Sequence, residues 1–325
     1  MSPTLRIDHA LDRAVSVTAG DVELFTYTYR PDTPVLESPK PYLHPIRTLA
    51  GDVVSLFRPH DHVWHKGIAW SLPHVGEHNF WGGPTYVHGS FYVQMDNNGS
   101  AVHREMTALA AAGQRAQIGH RLDWRAQNGE PVIDEHRVLT VEVVDEGTWV
   151  LIFDTTMNNV SGAPLDIGSP TTKGRPNAGY GGLFWRGPRS FTGGIVQSAT
   201  TAGSGNDLRG TRAEWLGFRG QHDETGEWST LVMVDDAANP QHPPLWFTRT
   251  EEFACLCPAP FFDEETRVDD GDTIRFRYAV VVATGDRDAE GTAQLAATGR
   301  DALAAARNTS AVSTPDPAEH SGVVA

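Results

Sequence analysis

Apolar and polar positions alternate with period two along much of this chain, and that alternation marks strands. Val22 to Tyr29 is β-branched and aromatic, and Ser90 to Met95 is built the same way. Thr273 to Tyr278 alternates strictly and then runs on as Ala279-Val280-Val281-Val282. Thr148 to Met157 (TWVLIFDTTM) has so few charges that it reads as a strand buried on both faces. Gly, Pro, Asn and Asp clusters punctuate these runs at the spacing of an all-β fold. Two Ala-rich segments interrupt the pattern. Asp288 to Arg307 predicts a helix, with Leu295 and Leu303 on its apolar face and Gly299 as an interruption. Thr107 to Gln117 predicts a short helix ahead of a strand at Ile118 to Trp124, although that strand could begin earlier. The expected fold is a large antiparallel β-sandwich over residues 1–307 as one domain, followed by a small, polar, Pro-containing disordered tail over 308–325.

Composition narrows the partners. The 325 residues hold 26 Lys+Arg against 41 Asp+Glu, a formal charge of −15. That balance argues against nucleic acid and against an anionic membrane surface. No segment approaches the ~18–20 apolar residues of a membrane span. The first twelve residues carry Asp8 and Asp12 and no apolar run, so no signal peptide and a cytoplasmic location are expected. Gly 32 and Pro 21 fit a turn-rich fold. Cys255 and Cys257 sit too close in a strand to bridge, and two thiols alone do not complete a zinc site. They read as small apolar residues on one side of a strand. Long sheet edges leave room for a homo-oligomer.

Histidine is the informative residue. Six of the 14 histidines, His60, His62, His65, His74, His78 and His88, fall between positions 60 and 88. In Arg58-Pro59-His60-Asp61-His62-Val63-Trp64-His65-Lys66, an extended backbone would put His60 and His62 on one face, with His65 joining them across a bulge or turn. Three imidazoles so spaced suit either a divalent metal or proton transfer near neutral pH. Downstream, Glu77-His78-Asn79-Phe80-Trp81-Gly82-Gly83 sets an aromatic pair beside amide and imidazole groups, a combination that stacks on and hydrogen-bonds a sugar.

These segments, together with GRPNAGYGGLFWR (Gly174 to Arg186), NPQHPPLWFTR (Asn239 to Arg249) and GDTIRFRYAVVVATG, resemble the bacterial PmoA-like family over roughly residues 20 to 290. The family name invokes a membrane subunit of a methane oxygenase, which a chain without apolar spans does not match. The resemblance implies a carbohydrate-related role and a β-sandwich similar to the galactose-mutarotase supersandwich, and it brings no established reaction.

The remaining candidates follow from chemistry. The Gly174 to Gly182 loop lacks the strand-to-helix setting of a phosphate loop, so no nucleotide cofactor is expected. Its Arg175 and Tyr180 can reach a carboxylate, carbonyl or hydroxyl. Glu135 and Arg137 share one face of a strand, and Glu135 is the candidate carboxylate partner of the histidines. Asp235 and Asp236 end a strand and read as solvated turn formers. The reading is a carbohydrate-active enzyme that cleaves a glycoside or oxidised sugar, by hydrolysis or elimination, or isomerises it. The catalytic candidates are His60, His62, His65 and Glu135. Arg58, Lys66, His78, Trp81, Arg175, Tyr180, Trp246 and Arg249 would bind substrate, and His60, His62 and His65 are the candidate ligands of a divalent metal. A non-catalytic carbohydrate-binding protein and a metal-dependent oxygenase are the alternatives.

Overall fold

The computed structural model of the chain describes residues 3–311, with side chains to residue 307. Among these, two large antiparallel sheets face each other. The first orders its eight strands as Leu5–Ala10, Ala14–Ala19, Val22–Thr28, Tyr42–Ile46, Ile68–Ser71, Gly182–Arg186, Cys255–Ala259 and Leu245–Arg249. The second runs Ala202–Gly203, Ile195–Gln197, Trp215–Gln221, Trp228–Asp235, Thr273–Thr284, Thr148–Asn159, Pro131–Val143, Arg115–Arg125 and Ser100–Ala112. This is the β-sandwich that the alternating pattern predicts.

Side-chain parity assigns each strand's two faces. Inward residues of both sheets form one core, with Trp70 of the first sheet against Phe153, Phe276 and Tyr278 of the second, and Phe25 stacked on Trp149. The outer face of the second sheet is also apolar where the helix Ala289–Ala311 lies on it. Leu295, Ala296 and Leu303 pack there against Val150, Ile152, Val232, Val281 and Ala283. Burial on both faces is why residues 148–153 and 278–283 read as continuous apolar runs.

Four expectations are corrected here. Gly299 does not interrupt the helix. A Cβ there would come within 2.7 Å of Val234 Cγ2, so the glycine is where the helix touches the sheet. Thr107 to Gln117 is not a helix but two strands joined by a turn at Gly113, which takes φ of 58°. Pairing with Arg115–Arg125 overrides alanine's helix preference. Asp235 and Asp236 are buried, not solvated. Asp236 accepts from Arg277 at 2.6 Å and from Arg307 at 3.0 Å, while Asp235 accepts from Asn239 at 2.7 Å and bonds His242 at 2.6 Å. The helix continues through residues 308–311, where the tail was expected to begin, and the rest of that segment lies outside the described residues.

Burial also sets the acid sensitivity of the fold. It pushes His44 and His74 down to about 4, and holds His65 and His120 well below the usual imidazole range. A folded pKa below the unfolded ~6.5 adds stability that is present above ~6.5 and lost as pH falls toward 4. For a buried group such as His74 this is at most about 3 kcal/mol. Asp235, raised by burial to about 6, works the other way over the same interval and offsets part of the loss. Unfolding temperature measured by calorimetry is therefore expected to be level from pH 8 to 7 and to fall between pH 6.5 and 4, with a shallower fall in His74→Gln. An unfolding temperature equal at pH 7 and 4.5 would contradict the assignment.

Candidate functional site

The outer face of the first sheet, opposite the helix side, carries a second aromatic cluster. Parity builds it. In Gly182–Arg186, Leu183 and Trp185 point into the core while Phe184 points out. In Leu245–Arg249, Trp246 points in and Phe247 points out. Cys255, Cys257 and Ala259 are outward and buried beneath the cluster, and burial raises the Cys255 thiol to about 12. Above this floor lies a cavity of about 400 Å³, lined among others by His62, Trp64, His65, Trp81, Arg175 and Tyr180. Ligand pockets run from roughly 300 to 1,000 Å³.

The histidine segment reaches the cavity as a turn and not as a strand. Arg58 has φ of 46°, and His62 N–H bonds Pro59 O at 3.1 Å, His65 N–H bonds His62 O at 2.9 Å, and Arg58 N–H bonds His65 O at 2.9 Å. This winding separates His60, whose side chain is 83% exposed, from His62 and His65. The latter two rings stack 4.7 Å apart at 8°. Trp64 lies over the Trp81-Gly82-Gly83 turn, where a Cβ at either glycine would approach it to 2.7 Å. The Asn79 amide holds that turn, accepting from Trp81 and Gly82 N–H at 2.9 Å each. Phe80 is core and Trp81 belongs to the cavity.

The two stacked imidazoles are fixed as opposite tautomers. Asp61 Oδ2 lies 2.8 Å from His62 Nδ1 and accepts from Arg186 at 3.3 Å. Burial alone would raise the Asp61 pKa, but the His62 bond and the Arg186 charge outweigh it and bring it to about 2. An ionised carboxylate only accepts, so the neutral form of His62 carries its proton on Nδ1 and presents Nε2 as the basic nitrogen. His65 is the reverse. Its Nδ1 lies 3.0 Å from Arg186 Nη1, and a guanidinium only donates. The His65 proton therefore sits on Nε2. Burial first, and then the positive charge of Arg186, keep this ring neutral. The Arg186 guanidinium carbon itself lies over Phe253, 3.8 Å from the ring centre.

On the opposite wall Arg175 donates to the Tyr92 hydroxyl, which bonds Tyr180 Oη at 2.8 Å. Arg249 lies over Phe247 and Phe253 and pairs with Glu252.

The structure thus brings His62, His65, Trp81, Arg175, Tyr180 and Arg249 together and places the other candidates elsewhere. Glu135 is completely buried inside the sandwich, where Arg137 donates to it at 2.7 and 2.9 Å, Trp124 at 2.6 Å and Thr155 at 2.6 Å. It does not face the histidines. Lys66 and Arg58 are both committed to buried Glu37. Trp246 is a core residue whose indole donates to Ala213 O at 2.8 Å. His78 lines a separate cavity with His74, Tyr86 and Lys173. The expected metal triad does not form, because His60 turns away. Among the described residues no group of three His, Cys, Asp or Glu side chains is placed to hold a metal ion. Asp61, Arg186, Phe184, Phe247 and Phe253 were missed.

The chain belongs to the DUF6807 family, a family of unknown function, whose model matches residues 14–297. That match replaces the PmoA-like resemblance suggested by the motifs. No curated protein matches the sequence. Among solved structures it is similar to a galactose 1-epimerase from Lactobacillus acidophilus at 8% identity and TM-score 0.40, covering 87% of this chain and 100% of that one. It is also similar to a heparan sulfate lyase from Pedobacter heparinus at 8% identity and TM-score 0.38, covering 88% of this chain and 36% of that one. A third is a GH36 α-galactosidase from Geobacillus stearothermophilus, at 10% identity and TM-score 0.39, covering 91% of this chain and 42% of that one. The chain spans less than half the length of the lyase and galactosidase chains. These are likenesses of strand arrangement and carry nothing about activity.

Proposed function

We propose that this protein is a carbohydrate-active enzyme whose chemistry begins with proton transfer at a sugar carbon. The observation that carries the reading is the pair of oppositely protonated imidazoles on an aromatic-walled cavity. His62 Nε2, oriented through Asp61, takes a proton from a carbon beside a carbonyl. The electron pair moves onto the carbonyl oxygen, and the neutral His65 Nε2–H donates a hydrogen bond to the enolate so formed. Returning the proton to another position isomerises the sugar. Expelling a β-substituent instead cleaves it by elimination. Hydrolysis fits less well, because it deploys two free carboxylates, whereas Asp61 is bound to His62 and Arg186 and Glu252 to Arg249. Trp64, Trp81 and Tyr180 supply the aromatic surface for the sugar ring.

The test is solvent exchange. The protein is incubated in D2O with a panel of aldoses, ketoses and hexuronates, and loss of the C–H signal beside the carbonyl is followed by NMR. Exchange well above the protein-free rate is expected for at least one sugar. Tight binding of a sugar with no exchange, isomerisation or cleavage would make the protein a carbohydrate-binding module instead.

A further inference from the structure

Charge is unevenly matched around the cavity. Arg186 faces Asp61 and Arg249 faces Glu252, one carboxylate for each guanidinium. Arg175 also lines the cavity, yet among the described residues no carboxylate lies within ion-pair distance of it. Its partners are the neutral Tyr92 hydroxyl and the faces of Phe91 and Tyr92, 5.4 and 4.9 Å from the guanidinium carbon. These contacts fix its position without cancelling its charge. Behind Phe247, Arg209 adds a second guanidinium, which donates to the neutral Asn206 amide and, among the described residues, forms no ion pair. Among the described residues that line the cavity Glu252 is the one acidic side chain, and it is already paired. In a chain of net charge −15, with 41 acidic residues available, this wall is left positive.

We infer that the ligand is an acidic sugar, a hexuronate or a glycoside of one, whose carboxylate docks on Arg175. The inference rests on the sugar reading above and names its substrate class. A planar guanidinium held by aromatic rings offers a carboxylate two parallel N–H donors, and desolvation inside a cavity strengthens that pair. The Tyr92 and Tyr180 hydroxyls adjoin it for the neighbouring ring oxygens. Tyr180 stays protonated, because burial holds it well above the usual tyrosine range.

Calorimetric titration compares D-glucuronate and D-galacturonate with D-glucose and D-galactose, as free sugars and as methyl glycosides. At least one acid is expected to bind tenfold or more tightly than its neutral counterpart, and the ratio should shrink as salt is raised. Arg175→Gln should bring the ratio close to one, and Arg175→Lys should keep part of it. Circular dichroism and unfolding temperature confirm that each variant is folded. Tyr92→Phe, which keeps the guanidinium but removes the hydroxyl it donates to, should weaken acid binding less than Arg175→Gln does, and an equal or larger loss would overturn docking on Arg175. Equal binding of acid and neutral sugars, or a ratio unchanged in Arg175→Gln, overturns the acidic-sugar inference and leaves the sugar reading standing. Binding of neither class removes both.

Discussion

Replacing His62 with glutamine is expected to slow proton exchange by about 10²–10⁴-fold, the range that a positioned general base contributes. Sugar affinity should change much less, because Trp64, Trp81 and Arg175 remain. Asp61→Asn should act in the same direction for a different reason. An asparagine amide can donate to Nδ1, which moves the imidazole proton to Nε2 and removes the base. The variant also leaves Arg186 without its carboxylate, so some loss of stability should accompany it. Exchange followed by NMR and affinity by calorimetry on the same preparations separate the two quantities. A fall in affinity as large as the fall in rate would mean that His62 holds the sugar and does not move its proton.

Glu135→Ala is expected to lower the free energy of unfolding by about 3–5 kcal/mol, the usual consequence of removing one partner from a buried ion pair. Arg137 would be left charged inside the sandwich, with Tyr27 as its remaining hydrogen-bond partner. Trp124 and Thr155 would also lose their acceptor. Urea denaturation measures the effect. Below the unfolding transition, exchange per folded molecule should match the unaltered protein. Normal stability with abolished exchange would return Glu135 to the active site and break the geometry argued above.

The strands were legible because period two is a local property of the chain. The parity of the site is local in the same way. Trp246 and Arg249 are three apart in one strand and so face opposite ways, which already forbids both from entering one pocket. Glu135 and Arg137 share a face, and that face proved to be the core, where each neutralises the other. His60 departs from its expected place for another reason. Sequence spacing describes an extended chain, and Arg58 at positive φ winds this one into a turn. Asp61 and Arg186 were invisible as partners because 125 residues separate them and only sheet pairing brings them together. The burial of Asp235 and Asp236 depends in the same way on Arg277 and Arg307. Long-range pairing of this kind leaves no trace in composition.

The polar groups between the sheets carry one more consequence. Tyr27 in the first sheet bonds His120 in the second at 2.7 Å, and His120 bonds its neighbour His103 at 3.0 Å. Arg137 of the second sheet reaches back to Tyr27 at 3.2 Å, and Tyr29 packs on His103 with ring centres 4.6 Å apart. An interior filled only with Val, Leu and Phe would let two sheets stack with several offsets at similar cost. Here a shift of one layer along the other would bring hydroxyl, imidazole and guanidinium groups against hydrocarbon, each losing about 1–3 kcal/mol. The seam therefore works as a key between the layers, selecting one alignment of the sandwich. Because the cavity's floor is the outer face of the first sheet and its walls are turns and a separate hairpin, that alignment fixes the support on which the stacked histidines rest.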